Sequence, residues 1–199
     1  MTQAHAAYQD HALLEASLSC LSEWQSCWQQ ICRDELPGIC RMRSWGSDFD
    51  HGQAWTISPV VLTSRTVSRI GSLNLDLVSK LSGLLATVYP TTYQALAPWI
   101  ESDRIVYAAF SLLKPGAVLR AHSHRNPESA KLHVLIESAQ RCGLMHYRRD
   151  DSGRLVKGIN HWRDPGQFCF FDDNQVHSAW NQSDVDRVVM VIDYVIATQ

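Results

Sequence analysis

The sequence has no long hydrophobic run and no recognisable export signal, and each absence excludes a class of protein. No apolar stretch in the 199 residues approaches the roughly 20 residues that a membrane-spanning helix requires. The first ten residues, MTQAHAAYQD, lack the basic segment and the continuous apolar segment of a secretion signal. We therefore expect a cytoplasmic protein that does not insert into a membrane.

The sequence also has no run of basic residues. The chain carries 18 Lys and Arg residues against 20 Asp and Glu residues, which gives a formal net charge of −2. A nearly neutral chain without a basic patch offers no electrostatic basis for binding nucleic acid. Its 45% hydrophobic and 19% charged residues are typical of a globular protein.

Cysteine pairs of the CxxC type are missing as well. The six cysteines lie at irregular spacings, and the first four are Cys20, Cys27, Cys32 and Cys40. This pattern does not favour a zinc knuckle or a redox-active pair. We expect the cysteines of the first helix to behave as small apolar residues.

We interpret residues 1–199 as a single domain whose two halves differ in character. Residues 1–100 are predicted to be mostly helical. One apolar stripe runs from Leu14 to Ile31, and a second helical pattern follows Ser72 and ends at Pro90. Residues 53–67 are rich in β-branched side chains, which predicts one or two strands with a break at Pro59.

Residues 101–199 break into short strand-like runs separated by Pro, Gly and Asp turns. Such a series predicts a mainly β fold, a double-stranded β-helix of the jelly-roll or cupin-like kind, with the N-terminal helices packed on one face. The eight predicted strands are Ile105–Leu113, Ala117–His124, Ala130–Glu137, Gly143–Arg149, Arg154–Trp162, Gln167–Phe171, His177–Asn181 and Arg187–Ile196.

Six of the nine histidines lie between positions 122 and 177, within the β half. Successive side chains of a strand alternate between its faces, so His122 and His124 share a face. His177 begins a later strand directly after a turn. Two imidazoles from one strand and one from a distant strand can form a three-point metal site, because imidazole is a common metal ligand. The alternative is that His122 and His124 are ordinary half-exposed strand residues.

Two segments taken together resemble the aspartyl/asparaginyl β-hydroxylase family. The first runs from Ser111 through Lys114-Pro115-Gly116 and His122-Ser-His124 to Lys131-Leu-His133. The second runs from Phe171-Asp172-Asp173 through His177 and Trp180 to Arg187-Val-Val-Met-Val-Ile-Asp193. Members of this family are iron- and 2-oxoglutarate-dependent oxygenases and include bacterial proline 3-hydroxylase-like enzymes and lipid A hydroxylases.

The resemblance implies a role for each matching position. His122 and His177 match the two iron ligands, and Arg187 matches the arginine that pairs with a carboxylate of 2-oxoglutarate. Ser111 and His133 match residues that line the cosubstrate site. Lys131 stands where some members carry arginine, so it is also expected to bind the cosubstrate, without arginine's planar fork. The resemblance implies no catalytic side chain beyond the metal ligands.

The family pattern is broken two residues after the first histidine. Oxygenases of the wider superfamily have an acidic iron ligand at this place, some members of this family have glycine, and this chain has His124. His124 is either a third ligand, a residue that points aside from a water-completed site, or the mark of an altered and inactive site. Glu128, Asp172 and Asp173 are candidate acids around the metal, and turn formation is the alternative for the Asp pair.

The resulting hypothesis is a hydroxylase that uses Fe(II), 2-oxoglutarate and O2. By the resemblance, its substrate is a small molecule of amino-acid type, either free, carrier-bound or within a peptide, and a ferryl species abstracts hydrogen before hydroxyl rebound. One alternative is a cupin-like three-histidine dioxygenase that does not use 2-oxoglutarate. Another is a non-catalytic binding protein with a decayed site. The sequence leaves the oligomeric state open.

Overall fold

The computed structural model describes residues 30–39, 54–66, 75–124, 129–137, 140–150 and 152–195. The apolar stripe that begins at Leu14 lies almost wholly outside the described residues, and so does the expected helix start at Ser72. Where the structure describes a helix, none combines the length and apolar character that crossing a bilayer requires.

Three helices with described bounds come before β2 (Ile105–Leu113) in the chain: α1 (Leu36–Ile39), α2 (Leu75–Val88) and α3 (Pro90–Glu101), with strand β1 (Trp55–Leu62) between α1 and α2. The predicted end of a helix at Pro90 is confirmed, but Pro90 also begins α3, where a missing backbone N–H costs nothing. The Glu35 carboxylate accepts a 2.7 Å hydrogen bond from the Thr91 backbone N–H and so caps the start of α3 from a distant part of the chain.

Strand β1 (Trp55–Leu62) is continuous, so the predicted break at Pro59 is wrong. The register against the neighbouring strand shifts between Pro59 and Val61 instead. β1 lies at the edge of its sheet, where a residue without a backbone N–H is tolerated, especially at a bulge.

The eight strands predicted for the second half are confirmed to within about two residues at each end, as expected for boundaries set by turn residues. They are β2 (Ile105–Leu113), β3 (Val118–His122), β4 (Ser129–Glu137), β5 (Cys142–Arg149), β6 (Leu155–Trp162), β7 (Phe168–Phe171), β8 (His177–Asn181) and β9 (Arg187–Val195).

The strands form two antiparallel sheets, which confirms the predicted double-stranded β-helix. The larger sheet has the order β1-β2-β9-β4-β7, and the smaller has the order β3-β8-β5-β6. The outer face of the larger sheet packs on the helices, with Tyr89, Leu96 and Trp99 against Phe110 and Met190. The helices therefore cover one face, as predicted.

The inner faces of the two sheets pack on each other. Leu113, Leu135 and Val189 of the larger sheet meet Leu144 and Ala179 of the smaller sheet in a second apolar cluster. Because side chains alternate along β9, Val188 and Met190 face the helices while Arg187 and Val189 face the space between the sheets. This space contains most of the predicted site residues.

Candidate metal centre and anion pocket

His122 and His177 lie opposite each other at one end of the smaller sheet. His122 is the last residue of β3, His177 is the first residue of β8, and the two are directly paired in the antiparallel register. Their ring centroids are 4.2 Å apart. His177 is buried, whereas His122 is partly exposed, so the pair lies at the mouth of the space between the sheets.

His124 lies beyond the end of β3 and still turns towards the other two histidines. Its backbone N–H donates a 2.8 Å hydrogen bond to the carbonyl oxygen of Asp173. Its ring centroid is 5.1 Å from that of His122 and 5.4 Å from that of His177. One ligand nitrogen from each of the three rings lies within 4.8 Å of the others, a separation that a single metal ion can bridge.

The hydrogen bonds of two rings leave the same nitrogen available for a metal. Nδ1 of His122 is 2.7 Å from the carbonyl oxygen of Arg120, and Nδ1 of His177 is 3.0 Å from that of Gln175. A carbonyl can only accept, so Nδ1 carries the proton in both rings and Nε2 keeps its lone pair. Burial lowers the pKa of His177 to about 3, which keeps this ring neutral and able to bind a metal.

Arg187 is a buried cation with unused hydrogen-bonding capacity. It is the first residue of β9, and its side chain is 2% exposed. It contacts the Cys142 side chain across the two sheets, but its Nε and Nη2 have no hydrogen-bond partner among the described residues. Burial lowers the pKa of Arg187 to about 10, so the guanidinium stays protonated at neutral pH. A charge in such a place requires an anionic partner, and a carboxylate fits its planar fork.

Ser111 and His133 face the same inner space as Arg187. The Ser111 hydroxyl accepts a 2.9 Å hydrogen bond from Nε1 of Trp55, which leaves its own proton free to donate to a ligand. His133 is buried, and its Nδ1 has no partner within the part of the chain that the structure describes. Burial first, and then the charges of Arg187 and Lys131, hold the pKa of His133 well below its ordinary value.

Lys131 lies in a buried cluster with two carboxylates. Its Nζ is 2.6 Å from Oδ1 of Asp193 and 3.3 Å from Oδ2 of Asp173. Burial alone would lower the pKa of Lys131, but Asp193 and Asp173 outweigh it and raise the pKa above its ordinary value. Asp172 has the turn role considered for it, because its Oδ1 accepts from the Asn174 backbone N–H at 3.0 Å. Glu128 lies outside the described residues.

His146 is a further inner-face residue, for which the sequence suggests only that it could help to shape a substrate pocket. It pairs directly with His177 across β5 and β8 and is 6% exposed. Its Nε2 is 3.8 Å from Sγ of Cys169. Gly158 lies opposite on β6, where a Cβ atom would come within 2.6 Å of Nε2 of His146. Strand alternation places His146 on the inner face, but the glycine that makes room for it is recognisable only from the pairing.

A surface cavity of about 670 Å³ lies apart from these residues. It is lined by residues 159–162 and 165–168, at the end of β6 and the start of β7. Its lining includes none of the three clustered histidines and not Arg187.

Two packed antiparallel sheets with three converging histidines define a double-stranded β-helix protein with a candidate metal centre. Residues 85–196 match the family model described as aspartyl/asparaginyl beta-hydroxylase, and the chain belongs to this family. Membership of a hydroxylase family and the three-histidine cluster together support a metal-dependent hydroxylase.

The chain is also similar to individual proteins. It is 32% identical over 108 residues to an ornithine lipid ester-linked acyl 2-hydroxylase from Rhizobium tropici, covering 53% of this chain and 34% of the relative. The chain thus spans about a third of the length of that curated relative.

Two solved structures to which the chain is similar share little sequence with it. A predicted oxalate decarboxylase from Thermotoga maritima is 19% identical, with a TM-score of 0.32 and coverage of 48% of this chain and 71% of that one. An oxalate oxidase bound to glycolate is 8% identical, with a TM-score of 0.40 and coverage of 77% and 57%.

Proposed function

We propose that this protein is an Fe(II)- and 2-oxoglutarate-dependent hydroxylase. The observation that carries the proposal is the placement of Arg187, a buried guanidinium with two unpartnered nitrogens, in the same inter-sheet space that opens onto the three histidines. A metal-binding face and a separate cationic pocket suit a cosubstrate that is a keto acid at one end and a carboxylate at the other.

His122 and His177 would hold the iron through their Nε2 atoms, and His124 through one of its ring nitrogens. Three imidazoles are neutral, so the iron charge would be balanced by the dianionic cosubstrate and by the acids nearby. When bound, Fe(II) supplies the O2 activation that acid–base side chains cannot, and the overall reaction converts R–H, 2-oxoglutarate and O2 to R–OH, succinate and CO2.

Arg187 would bind the carboxylate of 2-oxoglutarate that is remote from the metal. A bidentate charge-assisted pair in a buried place is strong and fixes orientation, which aims the keto acid end at the histidines. The Ser111 hydroxyl and the free Nδ1 of His133 face the same space and would complete the hydrogen bonds of the cosubstrate. These groups also keep the far carboxylate away from water.

We propose an amino-acid-type substrate, free, carrier-bound or peptidyl, in keeping with the family of which the chain is a member. The similarity to the Rhizobium tropici acyl 2-hydroxylase supports a second candidate, an ester-linked acyl chain. Aspartyl and asparaginyl residues share one feature with an ester-linked acyl chain, a methylene next to a carbonyl group. The two are distinguished by the products that they yield.

The test is turnover of 2-oxoglutarate by purified protein supplied with Fe(II) and O2. Succinate formation is measured with aspartyl and asparaginyl peptides, free amino acids and an acylated ornithine lipid, and the product of each is examined for added oxygen by mass spectrometry. One substrate should gain one oxygen atom for each succinate formed. A protein that turns over a substrate equally well without 2-oxoglutarate and after Arg187→Ala would instead be a three-histidine dioxygenase.

A further inference from the structure

We infer that Lys131 is a positioning residue for the metal-binding face, acting on His124 through Asp173, and that it is not a partner of the bound dicarboxylate. The inference rests on the proposed function, because it takes the three histidines to be the metal ligands. It assigns Lys131 a different role from the one that the family resemblance implies.

Lys131 and Arg187 lie at opposite ends of the inner face of the larger sheet. Lys131 is paired in register with Asp193 on β9, at the opposite end of that strand from Arg187. At about 3.3 Å per residue, the two ends of this run are roughly 20 Å apart along the strand. The two cations are therefore at different ends of the inner face, and Lys131 lies at the histidine end.

Lys131 already has two carboxylate partners, Asp193 and Asp173. Its ammonium group lies between Asp193 at 2.6 Å and Asp173 at 3.3 Å, and all three side chains are about 11% exposed or less. Two carboxylates more than neutralise one ammonium group. The charge of Lys131 is therefore already matched by carboxylates, in contrast to that of Arg187, and a further carboxylate beside them would add repulsion.

Lys131 is connected to His124 of the metal-binding face through Asp173. The side chain of Asp173 forms an ion pair with the ammonium group of Lys131. The backbone carbonyl of Asp173 accepts the 2.8 Å hydrogen bond from the His124 backbone N–H. Strand β3 ends at His122, so no strand pairing holds His124 in place. Asp173 also belongs to the turn that leads directly into His177. Lys131 thus connects the larger sheet to the segments that carry two of the three imidazoles.

The experiment measures Co(II) binding to three variants: Lys131→Met, His124→Ala and the double variant. Co(II) is added under anaerobic conditions, and the visible absorption of the bound Co(II) reports binding. Lys80→Met is the matched control, because Lys80 forms an exposed ion pair with Asp76 in α2, away from the sheets. Binding of 2-oxoglutarate is then measured separately at saturating metal.

We expect Lys131→Met to raise the Kd for Co(II) by roughly 10- to 100-fold, the usual effect of losing a residue that orients a metal ligand. The 2-oxoglutarate affinity of the metal-saturated variant should be unchanged. Lys131→Arg should restore metal affinity. In the His124→Ala background, Lys131→Met should add little further loss, because both changes act on the same ligand.

A loss of 2-oxoglutarate affinity without a loss of metal affinity would overturn the inference. If Lys131→Met weakens 2-oxoglutarate binding and leaves metal affinity intact, Lys131 contacts the dicarboxylate. If its effect simply adds to that of His124→Ala, it does not act through His124. Should Lys131→Met fail to fold, Lys131→Gln combined with Asp193→Asn replaces the ion pair by neutral amides, and the same loss of metal affinity is expected. A wild-type protein that binds no Co(II) contradicts the proposed function itself.

Discussion

His122 and His177, far apart in the chain, are directly paired residues of neighbouring antiparallel strands, with ring centroids 4.2 Å apart. The pairing places both imidazoles at the mouth of the space between the sheets, and Arg187 lies deeper in that space.

Replacing Arg187 by Met should selectively weaken binding of 2-oxoglutarate. Loss of one member of a buried charge pair costs about 2 to 5 kcal/mol, which corresponds to a rise in Kd of roughly 30-fold or more. Calorimetry on the metal-loaded protein measures the change. Metal affinity should be unaffected, and Arg65→Met, at an exposed ion pair, should change neither value. An unchanged affinity for 2-oxoglutarate would remove Arg187 from the cosubstrate site.

The same Arg187→Met change should stabilise the protein when no ligand is present. Desolvation of a buried guanidinium destabilises the folded protein unless a carboxylate compensates for it. Replacing buried ionic groups by apolar ones often raises the free energy of unfolding by about 1 to 4 kcal/mol. Urea unfolding of the two ligand-free proteins gives the difference in free energy of unfolding. A less stable variant would mean that Arg187 supports the fold and is not held ready for an anion.

His124→Ala should decide whether His124 is a metal ligand or points aside from a two-histidine site. If His124 is a ligand, the Kd for Co(II) should rise by at least the roughly 10- to 100-fold seen when a residue around a metal site is lost. His177→Ala should weaken binding as well, while His161→Ala, on the exposed part of β6, should not. Unchanged Co(II) affinity and spectrum after His124→Ala would indicate a two-histidine site.

Gly158→Ala should destabilise the protein, because the added methyl group would lie 2.6 Å from Nε2 of His146. Such overpacking typically costs about 1 to 3 kcal/mol. Gly83→Ala is the matched control, since its Cβ meets nothing within 4 Å and it lies inside helix α2, where alanine is favoured by about 0.5 to 1 kcal/mol. Thermal unfolding should therefore move in opposite directions for the two variants. A neutral Gly158→Ala would show that the His146 ring can relocate.

The limits of the strands in the second half are decided by local chemistry and can be predicted from the sequence. The strands of the second half are separated by turns such as Lys114-Pro115-Gly116, which end pairing whatever the tertiary context, and so their limits were predictable. The break predicted at Pro59 is wrong because proline interrupts a central strand but is tolerated in an edge strand with a bulge. β1 is such a strand.

The environment of the candidate site was harder to predict, because it depends on pairing between distant segments. Lys131 could be recognised as a cation in the family pattern, but its partner Asp193 is identified only by the register of β4 with β9. The room that Gly158 leaves for His146 likewise depends on which strands become neighbours. Side-chain direction follows from alternation along a strand, whereas sheet order and register do not.

In the proposed function, the three histidines bind Fe(II) and Arg187 holds 2-oxoglutarate against it. The most direct test is anaerobic addition of 2-oxoglutarate to the Fe(II)-loaded protein, followed by visible absorption. We predict a charge-transfer band that saturates at one equivalent, disappears in His177→Ala and requires far more 2-oxoglutarate in Arg187→Met. Iron that binds tightly while 2-oxoglutarate produces no band at any concentration would contradict the account.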